Sequence, residues 1–409
     1  MLEFFKKRLM VSKIDKKYPK IVKQNSKPVI GLVVTTFDKG GLEQVVLNLY
    51  LGYKKAGYKT FLLCQENILG IMANSIEPKD LYVFNNDKNK FLQLLYDENI
   101  TILHYHYNIF AADIVKKIGI KTIYTMHNVY TWKNDQEIIE YNDILKSMDK
   151  IVPVSNLVKN YYIARTNAQE EKFKVIYNGI DFAELSSNML PDNITRNALG
   201  LNDDDIVLAF VASFYPVKYQ IGMIGVMEEV VKYNQNIKLL FVGNTENEYY
   251  KTFFNIYSES LAKENMLRVP YFEHKYMGEF LRQVVDVFIL PTLQEGCSNA
   301  VLEAIYCDKP MILTNVGNAM DVEYLKSCIV VNAAYEDIIK TTNDDIIRIS
   351  SQKNGKNRDE LKEAILTVAD NLSLYKSNAV ISETEKIKFE TSYMVDQYIK
   401  IIEDLDSDE

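Results

Sequence analysis

The sequence predicts an α/β protein with two doubly wound domains that face each other across a cleft. Apolar runs of strand length alternate with helix-like patterns, and the alternation starts again after Leu190-Pro191-Asp192-Asn193. Continuous apolar strands separated by helices are typical of parallel sheets that are covered on both faces. The length of 409 residues also exceeds what one hydrophobic core usually holds. We therefore expect one domain over residues 28–190 and a second over residues 191–377.

The individual strands are predicted from runs of apolar and β-branched residues. In the first domain, the strand at residues 29–36 precedes a glycine loop and a helix with apolar residues at helical spacing. Its other strands are expected at residues 60–64, 101–104, 122–126, 150–154 and 174–177. The strands of the second domain are expected at residues 206–212, 237–242, 284–290 and 311–314.

Two carboxylates eight positions apart, Glu295 and Glu303, bracket a turn of small residues. The turn follows a predicted strand, and Ser298 or Asn299 is expected to cap a helix that runs to Cys307. Free amides and the positive end of the helix dipole suit a diphosphate there, with a contribution of up to about 2 kcal/mol. Glu303 is then placed to accept hydrogen bonds from ribose hydroxyls, and Glu295 from the hydroxyls of an attached sugar. The alternative is that the two glutamates are a helix cap and a solvated face.

Two further motifs follow predicted strands. Gly40-Gly41 lacks Cβ atoms and permits close approach of the backbone to a phosphate or an acceptor. The pair does not match G-x-G-x-x-G, which disfavours a dehydrogenase. Lys218 lies just past the strand at residues 206–212, where a lysine can neutralise a departing diphosphate. The alternative for Lys218 is an ordinary surface lysine.

These motifs occur together in a known family. The stretch from Glu295 to Glu303 resembles the E-x7-E signature of retaining, group 1 glycosyltransferases of the bacterial cell-surface glycan type. That resemblance implies the GT-B fold, in which two Rossmann-like domains face a cleft and the last helix, here residues 378–409, crosses back onto the first domain. Further stretches are similar to landmarks of the family and occur in its order: Gly40-Gly41, Thr125-Met126-His127-Asn128, Pro153-Val154-Ser155, Asn178-Gly179-Ile180-Asp181 and Lys309-Pro310.

The resemblance implies a site for a nucleoside diphosphate sugar. It implies His127, Glu295 and Lys218 as catalytic residues, with His127 close to the reacting carbon of the donor sugar. Many members carry an arginine where this chain has Ser213 or Tyr215. A lost charged hydrogen bond to phosphate would cost roughly 1.5–3 kcal/mol. The implied donor-binding residues are Gly41, Ser213, Lys218, Glu295, Gly296, Cys297, Ser298, Asn299 and Glu303.

No metal or other cofactor is expected. The D-x-D strings at residues 203–205 and 406–408 lie in loop or tail contexts, where solvated charge is the better interpretation. His104 and His106 would project to one side of a strand, and we expect them to line the core or the acceptor site. The four cysteines, at positions 64, 297, 307 and 328, form no C-x-x-C pair and are expected to be reduced thiols.

The net charge of −8 is unevenly distributed. Residues 1–27 carry nine Lys or Arg against Glu3 and Asp15, a net charge of +7, which leaves −15 for the remainder. One interpretation is a basic amphipathic segment, residues 1–25, that lies on an anionic membrane. The other is a solvated tail. No apolar run reaches transmembrane length and no signal peptide is recognised, so a cytoplasmic location, including the inner face of the membrane, is expected.

The sequence therefore predicts a retaining glycosyltransferase that moves a sugar from a nucleoside diphosphate, with a UDP-sugar favoured, to a hydroxyl of a glycan or lipid-linked acceptor. Nucleic acid is not an expected partner. The alternative from another class is a non-catalytic nucleotide-sugar-binding or partner subunit of a glycosyltransferase complex, which the absent arginine suggests. A phosphorylase or epimerase of the same fold has no sequence feature in its favour.

Overall fold

The computed structural model describes residues 18–38, 40–166, 168–186, 189–245 and 247–407. Within these ranges, two parallel six-stranded sheets are accompanied by helices, which confirms the expected fold class. None of the described helices is long and apolar enough to pass through a bilayer. Most of the basic N-terminal segment, residues 1–17, lies outside the described residues.

The first sheet has the strand order β3-β2-β1-β4-β5-β6 and is parallel throughout. Its strands are β1 (Ile30–Val34), β2 (Thr60–Cys64), β3 (Leu81–Val83), β4 (Ile102–His106), β5 (Lys121–Met126) and β6 (Lys150–Pro153). The α-helices of this part of the chain are α1 (Gly41–Lys55), α2 (Lys88–Asp97), α3 (Ala112–Val115), α4 (Asp135–Leu145) and α5 (Asn156–Thr166).

The second sheet has the order β12-β11-β10-β7-β8-β9 and is also parallel. Its strands are β7 (Ile206–Val211), β8 (Ile237–Val242), β9 (Met266–Arg268), β10 (Val287–Leu290), β11 (Met311–Thr314) and β12 (Cys328–Val331). The α-helices that follow the first sheet along the chain are α6 (Phe182–Ser186), α7 (Gln220–Val230), α8 (Glu248–Ser258), α9 (Met277–Val284), α10 (Asn299–Tyr306), α11 (Ala319–Val322), α12 (Asn343–Ser350), α13 (Arg358–Asp370), α14 (Leu372–Ala379), α15 (Glu383–Lys386) and α16 (Thr391–Ser407). The chain crosses between the domains just before α6 and again just before α16.

Both sheets reverse their strand order at one point. In the first sheet β1 lies between β2 and β4, and in the second sheet β7 lies between β8 and β10. At such a switch point the connections leave on opposite sides of the sheet, and a crevice opens outside the carboxyl ends of the two central strands. Gly40-Gly41, Lys218 and Glu295 follow the central strands β1, β7 and β10, whereas His127 follows β5. The topology therefore selects where most of the predicted site motifs meet.

The last helix, α16, packs on α1 of the first domain. Tyr398 of α16 also forms a hydrogen bond with the Thr125 hydroxyl of β5, with 3.0 Å between the oxygens. The buried residues of α16 share one hydrophobic core with β1, β2 and α1: Met394, Val395, Tyr398, Ile401, Ile402 and Leu405. The core of the first domain is therefore completed by the end of the chain.

The two segments that cross between the domains run side by side. The Ile180 amide donates to the Phe389 carbonyl at 2.9 Å, and the Thr391 amide donates to the Ile180 carbonyl at 3.0 Å. A Cβ atom on Gly179 would lie only 2.6 Å from the Cα atom of Thr391. Glycine is therefore required for the two crossings to approach this closely.

The strand predictions need three kinds of correction. The strands β3, β9 and β12 were not predicted, and β3 and β9 are edge strands of three residues each. The prediction of a strand at residues 174–177 is wrong, because this segment bonds to Ile151 and Pro153 of β6 without forming a regular strand and buries only Ile176. The strand predicted from residue 284 begins at Val287, since α9 extends to Val284.

Candidate active site

The carboxyl ends of the two sheets meet at a cavity of about 440 Å³. Both domains contribute to its wall, and the α6 segment that follows the first crossing closes one side. The polar and glycine residues that line the cavity are Gly40, Gly41, Gln44, Asn48, Gly179, Asp181, Glu184, Ser213, His274, Asn299 and Glu303. Four residues predicted for the donor site, Gly41, Ser213, Asn299 and Glu303, are thus brought together.

The loop after β10 holds the two domains together. The Gln294 side chain is buried; its Nε2 donates to the Val129 carbonyl at 2.6 Å, and its Oε1 accepts from the Thr131 hydroxyl at 2.8 Å. A Cβ atom on Gly296 would lie 1.8 Å from the carbonyl oxygen of His127. Only glycine allows the loop to pass this close to the first domain. The turn between Glu295 and α10 is therefore fixed against both domains.

The start of α10 faces the cavity without a side-chain cap. Ser298 precedes the first turn with an extended backbone, but its side chain makes no capping hydrogen bond. The Asn299 Oδ1 atom instead accepts from Asn178 Nδ2 at 3.1 Å, and the same Nδ2 donates to the Cys297 carbonyl at 2.9 Å. The expected capping by Ser298 or Asn299 is therefore wrong. Helix amides without a side-chain cap are the groups that bind an anion at a helix N-terminus.

Lys218 and Glu295 form an ion pair, although neither residue is among those that line the cavity. Lys218 ends a helical turn that follows β7, and this turn is bonded to the loop after β10 through the Val217 carbonyl, which accepts from the Thr292 hydroxyl and the Leu293 amide, both at 2.7 Å. Both charged side chains are mostly buried, with 22% and 16% of their surface exposed. A partly desolvated pair interacts more strongly than a surface pair. The structure thus joins two residues that are 77 positions apart in the sequence.

Glu303 is bound to a histidine that sequence analysis left without a role. The Nε2 atom of His274 lies 2.9 Å from Glu303 Oε1, and its Nδ1 atom lies 3.3 Å from Glu184 Oε1. Hydrogen bonds to these two carboxylates raise the pKa of His274 to about 10, so the imidazole is protonated at neutral pH. The bond to His274 also lowers the pKa of Glu184. We call Glu184, His274 and Glu303 the charged triad.

His127 borders the cleft at the end of β5 and connects to a buried row of histidines. Its Nε2 atom lies 2.8 Å from His106 Nδ1, and the rings of His106 and His104 are 4.2 Å apart. His104 and His106 are fully buried, in agreement with their expected core position. Burial lowers the pKa of His127 and of His104 to about 3 and that of His106 well below its usual value. All three rings are therefore neutral at neutral pH.

Cys297 faces the interior. Its side chain is buried, and burial raises the pKa of its thiol. Cys297 is not among the residues that line the cavity. The other cysteines are also free thiols, and burial raises the pKa of Cys64, Cys307 and Cys328 to about 12. Among the described residues there is no group of three His, Cys, Asp or Glu side chains able to hold a metal ion.

Two families match the two halves of the chain. Residues 39–184 match the family described as Glycosyltransferase Family 4, and residues 192–366 match the family described as Glycosyl transferases group 1. The second domain belongs to the group 1 glycosyltransferases. The group 1 match covers all six strands of the second sheet, from β7 to β12, together with Lys218 and Glu295. The other match begins after β1 and covers Gly40-Gly41 and the strands β2 to β6 of the first sheet.

Two relatives of this chain are named as glycosyltransferases of capsular polysaccharide biosynthesis. It is 24% identical over 258 residues to the capsular polysaccharide biosynthesis glycosyltransferase CapH of Staphylococcus aureus, covering 58% of this chain and 66% of CapH. It is 28% identical over 250 residues to CapM of the same organism, covering 58% of this chain and 63% of CapM. The chain thus spans slightly less than two thirds of the length of these curated relatives.

Solved structures share the fold of this glycosyltransferase over nearly its whole length. HepE of Anabaena, solved in complex with UDP, superposes with a TM-score of 0.70 at 15% identity, covering 92% of this chain and 100% of HepE. A glycosyltransferase of Rickettsia africae superposes with a TM-score of 0.69 at 16% identity, covering 93% and 99% of the two chains.

Proposed function

We propose that the protein is a retaining glycosyltransferase that moves a sugar from a UDP-sugar to a hydroxyl of a glycan or lipid-linked acceptor, without a metal ion. One observation carries the proposal: Gly41, Glu303 and the uncapped start of α10 border a single cavity between the domains. The similarity to HepE, solved with UDP and with UDP-glucose, favours UDP as the nucleotide. The names of CapH and CapM favour a cell-surface glycan as the product.

The donor is assigned to the cavity by charge and hydrogen bonding. The diphosphate would take the amides of the first turn of α10, from Asn299 onward, and the Gly41 amide, because these N–H groups and the helix dipole favour an anion. The Ser298 amide already donates to Asn318 Oδ1 at 3.0 Å. Glu303 bonds to His274 through Oε1, and we assign its Oε2 atom to the ribose hydroxyls. His274 would hold this carboxylate in place for the ribose.

The ion pair of Lys218 and Glu295 suggests an exchange of partners on donor binding. Lys218 would leave Glu295 for the diphosphate, and Glu295 would then accept hydrogen bonds from the hydroxyls of the donor sugar. Each charge keeps a partner through the exchange. In the reaction, negative charge grows on the departing diphosphate, and Lys218 stabilises it.

The transfer follows from these positions. The acceptor oxygen bonds to the anomeric carbon on the face from which UDP departs, the bond from that carbon to the phosphate oxygen breaks with its electrons, and the acceptor proton passes to the departing phosphate. His127 is assigned to contact the donor sugar. It is a poor general base, because burial lowers its pKa to about 3.

The proposal is tested with a panel of UDP-, GDP- and ADP-sugars by measuring released nucleoside diphosphate with and without EDTA. We expect slow hydrolysis of one UDP-sugar that EDTA does not inhibit, and proton NMR of the early product with its anomeric configuration retained. Thermal shifts with UDP, GDP and ADP report nucleotide binding separately. Hydrolysis that EDTA abolishes, or an inverted product, would contradict the metal-free or the retaining part of the proposal.

Substitutions of Glu295 and Lys218 test the roles proposed for these two residues. Glu295→Ala should lower turnover by about tenfold or more while changing the Kd for UDP much less, because Glu295 is assigned to the sugar and not to the nucleotide. Lys218→Met should lower turnover to a similar degree. Lys232→Met is the matched control, since Lys232 pairs with Glu229 on the surface after α7. A Glu295→Ala enzyme with full turnover and weakened UDP binding would reverse our assignment.

A non-catalytic nucleotide-sugar-binding or partner subunit is the second candidate. It is favoured by Ser213, which lines the cavity at a position where arginine was expected from the resemblance. A thermal shift with UDP and no hydrolysis, even with mixed glycan acceptors, would favour this candidate.

We also propose that residues 1–25 attach the protein peripherally to the anionic inner face of the cell membrane.

A further inference from the structure

Two large aromatic side chains stand exposed beside the cleft. Tyr107 follows β4 directly, and Trp132 lies in the turn after β5, the neighbouring strand. Their exposed fractions are 37% and 46%, although the preceding residues His106 and Thr131 are buried. Aromatic side chains that serve only the core are buried, as Tyr130 between them is, with 1% exposed.

The rings form a layered arrangement that we call the aromatic platform, consisting of Tyr107, Tyr130 and Trp132. The Tyr107 ring is nearly parallel to the Trp132 ring, at 16° with centroids 6.3 Å apart. The Tyr130 ring lies 4.9 Å from Trp132 and 5.4 Å from Tyr107, and its hydroxyl bonds to the buried Tyr124 hydroxyl at 2.8 Å. The buried Tyr130 and Tyr124 side chains therefore hold the exposed rings in place, so a ligand does not need to order them.

The platform adjoins the proposed reaction centre. The Tyr107 ring stacks on the His127 ring, with an angle of 5° and centroids 5.9 Å apart. Although 37% of the side chain is exposed, its hydroxyl is desolvated, and this and the nearby charge of Glu295 raise the pKa of Tyr107 to about 12. A hydrogen bond with Asn128 opposes the shift. Tyr107 also has a positive φ of 65°, a conformation that costs a non-glycine residue about 1 kcal/mol or more. Backbone strain of this kind is concentrated at functional sites.

The chemistry of the platform fits a neutral sugar ring. A pyranose presents a face of C–H groups that packs on an aromatic ring and an edge of hydroxyls that bond to polar side chains. Asn128 and Glu295 lie beside Tyr107 to accept or donate such bonds. A second phosphate is disfavoured, because Glu295 would repel it.

We propose that Tyr107 and Trp132 bind a neutral pyranose ring of the acceptor and present its hydroxyl to the donor sugar. This inference rests on the proposed function, since it places the acceptor next to the proposed donor site. It assigns a sugar ring, and not a lipid chain or a phosphate, as the group that Tyr107 and Trp132 recognise.

The chain supplies its own probe, because Trp132 is its single tryptophan. We would titrate the full-length protein, with and without saturating UDP, with methyl glycosides of glucose, galactose and N-acetylglucosamine, and follow tryptophan emission. Mannitol serves as a polyol without a ring. We expect a saturable change of emission with at least one glycoside and none with mannitol.

Four variants separate stacking from folding. Tyr107→Ala should weaken glycoside binding roughly tenfold or more, because the stacking ring is lost, and Tyr107→Phe should restore most of it. Tyr233→Ala is the matched control, since Tyr233 is 69% exposed at the other end of the second sheet, between α7 and β8. If Tyr107→Ala does not fold, saturation-transfer NMR of the glycosides with Trp132→Leu measures the same loss.

The opposing outcomes are distinct. A response to no glycoside, an equal response to mannitol, or an unchanged affinity in Tyr107→Ala would overturn the inference. A complete change of emission with UDP alone, and none on adding glycoside, would show that a nucleotide base occupies the platform instead. Failure of the proposed function is seen separately, as the absence of any thermal shift with UDP and of donor hydrolysis. The titration without UDP tests the platform in that case.

Discussion

At the scale of single residues, the site depends on charges that are already paired before any ligand arrives. Lys218 is paired with Glu295, and Glu303 is bound to the protonated His274. An unpaired buried charge would be costly in the empty cleft. The pairs therefore hold the carboxylates and the lysine in position to exchange partners with a diphosphate and with sugar hydroxyls.

The charged triad predicts a pH-dependent stability. The pKa of His274 is raised from 6.5 to about 10 in the folded protein. Below pH 6.5 the imidazole is protonated in the folded and the unfolded chain, so the stabilisation is fully present, and it is lost as the pH rises towards about 10. His274→Gln should therefore lower the free energy of unfolding by about 1 kcal/mol near pH 6, since solvent screens this half-exposed side chain, and by much less near pH 10.

Urea unfolding at several pH values measures this difference. The matched control is Arg348→Gln, because Arg348 pairs with Asp345 at 2.9 Å on the surface and an arginine does not titrate in this range. Its effect should be the same at all pH values. A difference for His274→Gln that stays constant from pH 6 to about 10 would contradict the assigned protonation of His274.

The residues of the site could be predicted from sequence where they belong to a motif. Glu295 and Glu303 were found by their spacing, and Lys218 by its place after a strand. His274 was missed, because it lies in a short helical turn and meets Glu303 only through the fold, 29 positions away. The position of Asn178 in a family landmark was noticed, but its bonds across the domains could not be.

At the scale of secondary structure, four of the loops that build the site follow central strands, while His127 follows β5 and His274 follows β9. The loops after β1 and β4 and those after β7 and β10 flank the two switch points. Their strands were predictable because they are buried along nearly their whole length and read as continuous apolar runs. The edge strands β3 and β9 escaped prediction because three residues are too few to show a pattern.

The loop after β10 predicts a sharp difference between two glycines. Gly296→Ala should lower the free energy of unfolding by about 3 kcal/mol, because the new Cβ would meet the His127 carbonyl oxygen at 1.8 Å and the backbone must shift. Gly41→Ala should change it by less than about 0.5 kcal/mol, since its Cβ would lie 3.8 Å from Asn299 Nδ2 in ordinary contact. Urea unfolding of both variants makes the comparison, and equal losses would contradict the close approach of the domains at Gly296.

At the scale of the whole molecule, the N-terminal segment has a net positive charge, whereas the rest of the chain has a net negative charge. Residues 18–27 are fastened to the first domain: Lys23 pairs with Asp406 of α16 at 2.6 Å, the Ile21 amide donates to the Ile118 carbonyl at 2.8 Å, and the Tyr96 hydroxyl donates to the Pro19 carbonyl at 2.5 Å. These contacts decide how the proposed membrane attachment is tested, because a deletion that reaches residue 25 would also remove them.

A deletion of residues 1–17 removes six Lys or Arg and two acidic residues, a net charge of +4. We expect it to reduce sedimentation with anionic vesicles several-fold, since each basic residue near such a surface contributes about 1 kcal/mol. Neutral vesicles are the control for the lipid, and Lys23→Gln in the full chain is the control for the anchored part of the segment. Sedimentation that is unchanged by the deletion would rule out this membrane attachment.

The paired crossings at Ile180 and Glu390 make the second domain an insertion within the first. During synthesis, the ribosome must complete this insertion before α16 is made. The apolar faces of β1 and α1 that α16 covers therefore stay exposed while some two hundred later residues are synthesised and fold. Although the first domain is translated first, it is finished last, and a chain that terminates before α16 leaves its core open.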